Sequence, residues 1–229
     1  MSAYFRPIIL NAFPDSSWDG ILKCAAQGVA LADRLVREEP WLNWAVGKDQ
    51  RGDLRRVGVM WSLREACTAE ILPFFCEDRE NTARNCHHIE IRSQNVYLHV
   101  TRTDSLLAMP RLTKLRNDER ASNQFDLLKP IIMTTDLSEI KRWYGWLTFN
   151  ADAEGKLTHV AIGLPEEDGD EWLDIVPLPL EDTSSFVSED DEPAPLGPDQ
   201  LVRFTEVVRR MLESPASDEE AGDKGPRGA

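Results

Sequence analysis

The chain has 229 residues, 41% of them hydrophobic, and a net charge of −14 at pH 7. That length and apolar content can build one sizeable core. So acidic a balance argues against nucleic-acid binding through phosphate contacts, which needs a basic face, and favours a basic partner.

No stretch approaches the roughly 20 apolar residues that a membrane span needs. The opening Met-Ser-Ala-Tyr-Phe-Arg-Pro lacks the apolar run of a signal peptide. The four cysteines, Cys24, Cys67, Cys76 and Cys86, contain no Cys-x-x-Cys pair, so neither a zinc knuckle nor a thioredoxin-like motif is present. Together these features predict a cytoplasmic protein with reduced thiols.

Residues 4–13 read as a short apolar lead ending at Pro14. Asp15, Ser16 and Ser17 then offer an N-cap. Behind them Ile21, Leu22, Ala25, Val29, Ala32, Leu35 and Val36 recur at helical spacing. They predict a first helix from Trp18 to Glu38, stopped by Pro40. Trp41, Leu42, Trp44 and Val46 follow as an apolar turn closed by Gly47. A second helix is predicted from Asp53, as its cap, to Pro73, although Val57-Gly58-Val59-Met60-Trp61 also fits a strand. Residues 76–85 read as a polar connection.

Cys86 to Thr103 reads as a β-hairpin. Ile89, Ile91, Leu98 and Val100 must share one face, because successive strand residues point to opposite faces. A two-residue turn at Gln94-Asn95 satisfies this by pairing Ser93 with Val96, Ile91 with Leu98 and Ile89 with Val100. A three-residue turn would mix the faces. The other face then carries Cys86, His88, Glu90, Arg92, Tyr97, His99 and Thr101, with Glu90 opposite His99, Arg92 opposite Tyr97 and His88 diagonal to His99. Directly opposed side chains have Cβ atoms roughly 5 Å apart, so a carboxylate and two imidazoles converge. His87 falls at the strand boundary.

Residues 104–142 are irregular. Within them Arg111, Lys114, Arg116 and Arg120 form the one local basic cluster, expected as a solvated face or, alternatively, an anion-binding patch. Trp143 to Asn150, Leu157 to Leu164 and Glu171 to Leu178 read as three strands joined by short turns, an antiparallel meander. The expected fold is α+β: two N-terminal helices packed on a mostly antiparallel sheet of about five strands, spanning residues 1–180. Residues 181–197 predict an acidic disordered linker, 198–213 an amphipathic helix and 214–229 a disordered tail. Leu201, Phe204, Val208 and Met211 form the apolar stripe of that helix and are its expected partner-binding residues.

Nucleotide loops of the Gly-x-x-x-x-Gly-Lys or Gly-x-Gly-x-x-Gly kind and a Gly-x-Ser-x-Gly elbow are absent from the sequence. His88, Glu90 and His99 are the residue types of a zinc or non-haem iron site, which would make the chain a metal-dependent hydrolase. The order Asp78, then Glu90-Ile91-Arg92, resembles a nuclease carboxylate set, but Arg stands where a basic Lys is needed. Trp41 and Trp44 are expected either in the core or as interface anchors. The leading expectation is a non-enzymatic interaction or regulatory protein of the antitoxin, immunity or accessory type. It would need no cofactor, and its partner would be a protein with a basic or apolar groove.

Overall fold

The computed structural model describes residues 4–81, 86–111, 113–123, 141–167 and 171–180. The predicted linker, C-terminal helix and tail lie outside the described residues, as do Leu201, Phe204, Val208 and Met211.

Helical spacing sets the longest element as expected. The helix α2 runs from Trp18 to Glu38 and buries Ile21, Leu22, Ala25, Val29, Ala32, Leu35 and Val36 on one side. It follows α1 (Phe5–Ala12), which replaces the expected apolar lead. Pro7 is tolerated there because first-turn N–H groups have no helical partner in any case. Asp15, Ser16 and Ser17 form a 3₁₀ turn and do not cap α2 with a side chain. The Ser17 hydroxyl instead donates back to the Pro14 carbonyl at 2.6 Å. After α2, Ala45–Asp49 makes a short helix α3, and α4 spans Arg51–Thr68. The expected Asp53 cap is therefore inside the first turn of α4, and its exposed side chain faces Arg56.

The helices α2 and α4 pack against each other through two glycines. A Cβ on Gly28 would overlap the backbone of Gly58 and Val59, and one on Gly58 would overlap the Gly28 carbonyl. Gly58, within the stretch that also fitted a strand, is thus the point where the two backbones touch.

The strands are β1 (Phe75–Glu80), β2 (His87–Ser93), β3 (Val96–Arg102), β4 (Trp143–Ala151), β5 (Leu157–Pro165) and β6 (Trp172–Pro177). They form one six-stranded mixed sheet in sequence order, antiparallel throughout except between β3 and β4, which are parallel. Two expectations are corrected here. Residues 75–80 are a strand, not a polar connection, and the described sheet has six strands instead of about five. The hairpin register is as derived: Glu90 opposes His99, Ile91 opposes Leu98, Arg92 opposes Tyr97 and Ser93 opposes Val96. Gln94 takes a positive φ of 51° in the two-residue turn.

One face of the sheet carries Ile89, Ile91, Val96, Leu98, Val100, Trp143, Leu147 and Phe149 into the core, beneath α1, α2 and α4. A parallel neighbour needs a crossover, and the connection between β3 and β4 supplies it. It contains α5 (Lys114–Arg120), which lies over the other face of the sheet. No helix among the described residues is long and apolar enough to cross a membrane.

The close helix contact gives a sign test. Ala has about 1 kcal/mol better helix propensity than Gly, yet overpacking costs typically 1–3 kcal/mol. Here the obstructing atoms are backbone and cannot rotate away. Gly58→Ala is expected to lower stability by about 1–3 kcal/mol in urea unfolding. A raised urea midpoint would show that the helices are free to separate.

Candidate functional site

The second face of the sheet is built by strand alternation. It presents His88, Glu90 and Arg92 from β2, Tyr97, His99 and Thr101 from β3, and Tyr144, Trp146 and Thr148 from β4, in parallel register. His88, Glu90 and His99 are brought together as the sequence implied. The rings of His88 and His99 meet edge to face, 4.2 Å between centroids, and His99 Nε2 lies 3.9 Å from Glu90 Oε2. That separation exceeds hydrogen-bond reach, so Arg92, whose Nε donates directly to Glu90 Oε1, makes the stronger tie. Arg92 also reaches Glu77 at 3.3 Å. Glu77 and Glu90 are directly opposed on neighbouring strands, an arrangement that repels unless a cation stands between them, and Arg92 is that cation.

Behind His99 lies a hydrogen-bonded chain whose members the sequence reading did not single out. Trp146 Nε1 donates to the Tyr144 hydroxyl oxygen at 2.5 Å, and Tyr144 stands 3.0 Å from His99 Nδ1. The Tyr144 hydroxyl thus links Trp146 to Nδ1 of His99, whose other ring nitrogen is Nε2. That atom is buried without a hydrogen-bond partner and faces Glu90. Alternation along Trp143–Asn150 was the available signal, since it separates Tyr144, Trp146 and Thr148 from the core-facing Trp143, Leu147 and Phe149.

The crossover closes over this face. Thr113 caps α5 by accepting from the Arg116 N–H, and the Arg116 side chain reaches down to donate to Thr101 Oγ1 at 2.9 Å, with its guanidinium 6.0 Å from the Trp146 ring. Tyr97 donates to Glu119 at 2.7 Å. Asn123 pairs with both the N–H and the carbonyl of Tyr144, acting as a substitute strand partner where the ladder between β4 and β5 ends. The structure therefore divides the basic cluster. Arg116 turns onto the sheet, Arg120 is buried and donates to the Glu166 carbonyl, and Arg111 stays exposed. Lys114 begins α5, with its side chain outside the described residues. The result is a face with Glu90, His99, Thr101, Tyr144, Trp146 and Thr148 all buried.

Burial and neighbours shift the acids and bases. Burial pushes the His88 imidazole down to about 4, reinforced by His99. Burial opposes ionisation of Glu90, but the adjacent His99 and the Arg92 guanidinium outweigh it and hold the carboxyl at about 2. Among the described residues, no group of three or more His, Cys, Asp or Glu side chains is arranged to hold a metal ion.

The helix connection presents a different kind of surface. Trp41 is 47% exposed, Trp44 57% and Val46 55%, all on the segment between α2 and α4. Neither Trp41 nor Trp44 enters the core. The chain matches no protein-family model, and neither curated proteins nor solved structures yield a match.

The shifts on His88 and Glu90 fix a pH dependence. Both folded values lie below the unfolded ones of 6.5 and 4.5, so the unfolded chain takes up protons first. The stability they supply is complete above 6.5 and is lost progressively as pH falls, through about 4 for His88 and about 2 for Glu90. NMR titration is expected to place the His88 midpoint near 4. A midpoint at the ordinary 6.5 would mean that the imidazole is solvated.

Proposed function

We propose that this protein acts by binding another protein, in a regulatory or accessory role of the antitoxin or immunity kind, and that it is not an enzyme. The supporting observation is the pair of half-exposed tryptophans, Trp41 and Trp44, set with exposed Val46 on one short connection. Leaving large apolar side chains in water is unfavourable, and grouped apolar exposure of this sort marks interaction surfaces. Tryptophan in particular dominates binding hot spots.

The polar face of the sheet supports the same conclusion from the other side. Its side chains are engaged with one another: Glu90 with Arg92, His99 with Tyr144, Arg116 with Thr101. Such a network rigidifies a scaffold. A metal-dependent hydrolase using His88, Glu90 and His99 would first have to release Glu90 from Arg92. The net charge of −14 suits a partner with a basic rim around an apolar groove. The stripe Leu201, Phe204, Val208 and Met211 is proposed as a second apolar anchor for the same partner.

Trp41→Ser/Trp44→Ser tests the reading. Surface changes of this kind usually alter stability by less than about 0.5 kcal/mol, so the variant should fold normally. The full chain, immobilised in extract of its source cells, is expected to retain a stoichiometric basic protein that the variant loses. Equal retention by both would remove the tryptophans from the interface. Metal-dependent hydrolysis that disappears in His99→Ala would overturn the non-enzymatic assignment.

A further inference from the structure

The remaining chemistry outside both surfaces is a group of thiols on the core side of the helix pair. Cys67 lies in the last turn of α4 and is buried, while Cys76 lies in β1 and is partly exposed. The strand register places Cys76 opposite the core residue Ile91, so it points toward the helices. Asp78, two residues on, shares that face and accepts an ion pair from Arg64 Nε at 3.2 Å. Arg64 and Cys67 stand three apart on α4, hence on one side of it, and Cys76 and Asp78 stand two apart on β1, hence on one face. The ion pair and the thiol pair are consecutive rungs between the helix and the edge strand.

Cys67 and Cys76 therefore face each other across the contact between α4 and β1, close enough that each thiol shifts the ionisation of the other. A disulfide needs Cβ atoms about 3.5–4.5 Å apart, which favours side chains on facing sides of adjacent elements, as these two are. We propose that Cys67 and Cys76 are a peroxide-oxidisable pair that closes a reversible disulfide and fastens the edge strand β1 to α4.

Cys67 is the attacking group. The neighbouring Cys76 thiol lowers its pKa, and Cys67 in turn makes the proton of Cys76 harder to remove. The Cys67 thiolate attacks one oxygen of hydrogen peroxide. The O–O bond breaks, Cys67 becomes a sulfenic acid, and the departing hydroxide takes a proton to become water. The Cys76 sulfur then attacks the Cys67 sulfur, the S–O bond breaks, and the hydroxide leaves with the Cys76 proton as a second water. Two thiols lose two electrons in total and one peroxide is reduced. The loop so closed holds Ile71 and Phe75, which are 72% and 59% exposed, so oxidation state governs the freedom of a second apolar surface. Transient disulfides of this sort suit a reducing compartment, where permanent ones are rare.

Peptide mapping of the full chain tests the assignment. Tryptic peptide 65–79 contains both cysteines and no internal Lys or Arg. After peroxide treatment and alkylation of free thiols in denaturant, that peptide is expected unalkylated and lighter by two hydrogen masses. Dithiothreitol should return it to the doubly alkylated form. In Cys76→Ser, Cys67 should be trapped as a sulfenic acid that dimedone labels. Recovery of peptide 65–79 from the treated wild-type chain with both thiols alkylated would overturn the proposal. So would either cysteine linked to Cys24 or Cys86, or over-oxidised while the other stays free.

Discussion

One carboxylate joins the two long helices to the sheet. Asp33, on α2, receives two guanidinium groups from α4: Arg51 through Nε and Nη2 at 2.8 and 2.9 Å, and Arg55 through Nε and Nη2 at 2.8 and 2.7 Å. Arg55 also donates through Nη1 to the Ala151 carbonyl at the end of β4, 3.0 Å away. Burial of Asp33 works against its charge, but the hydrogen bonds from Arg55 and Arg51 prevail and keep its carboxyl below the usual range. Paired forks of this kind are directional, so they fix the rotation of α4 about its axis as well as its distance. That rotation is what aims Gly58 at Gly28 and lets the helix backbones touch. Gly155, with φ of 87°, turns the chain between β4 and β5 close enough to Asp33 that a side chain there would collide with the carboxylate.

The clasp also determines what the connection between α2 and α4 can do. Asp33 fixes one side of it and Arg51 the other, and the segment between them carries Trp41, Trp44 and Val46. A loop held at both ends loses little further entropy when it binds, which favours a preformed anchor over an adaptable one. On the far face of the sheet the same economy of freedom serves a different purpose. The crossover between β3 and β4 fills it with Arg116, Glu119 and Asn123, and the aromatic and imidazole side chains there become a second, polar core.

How much of this the sequence disclosed follows from the range of each interaction. The helix Trp18–Glu38 and the hairpin register were legible, because each depends on periodicity within one segment and an apolar set that must face one way. Convergence of His88, Glu90 and His99 followed from that register alone. The strand Phe75–Glu80 was not legible: as a charged edge strand, Glu77, Asp78, Arg79 and Glu80 hide the alternation while they protect the edge from foreign strands. The parallel pairing of β3 and β4 was hidden for a different reason, since nothing local to either strand records which neighbour it takes across a long crossover. The burial of Glu90 and His99 depends on that crossover, which nothing local to the hairpin records. Asp33 and Arg55 each read as ordinary polar positions of a helix, and only the packing of the two helices makes them partners.

The central claim is that the Asp33 clasp, and not apolar contact alone, sets the helix pair on the sheet. A double-mutant cycle on Asp33→Ala and Arg55→Ala, read by urea unfolding, tests it most directly. Asp33→Ala strands the buried Arg55 guanidinium and should cost about 3–5 kcal/mol, while Arg55→Ala leaves Asp33 its pair with Arg51 and should cost less. Removing both should cost less than the sum, with a coupling of about 2 kcal/mol or more. Single losses that add within about 0.5 kcal/mol would contradict the account and leave the helix pair held by packing alone.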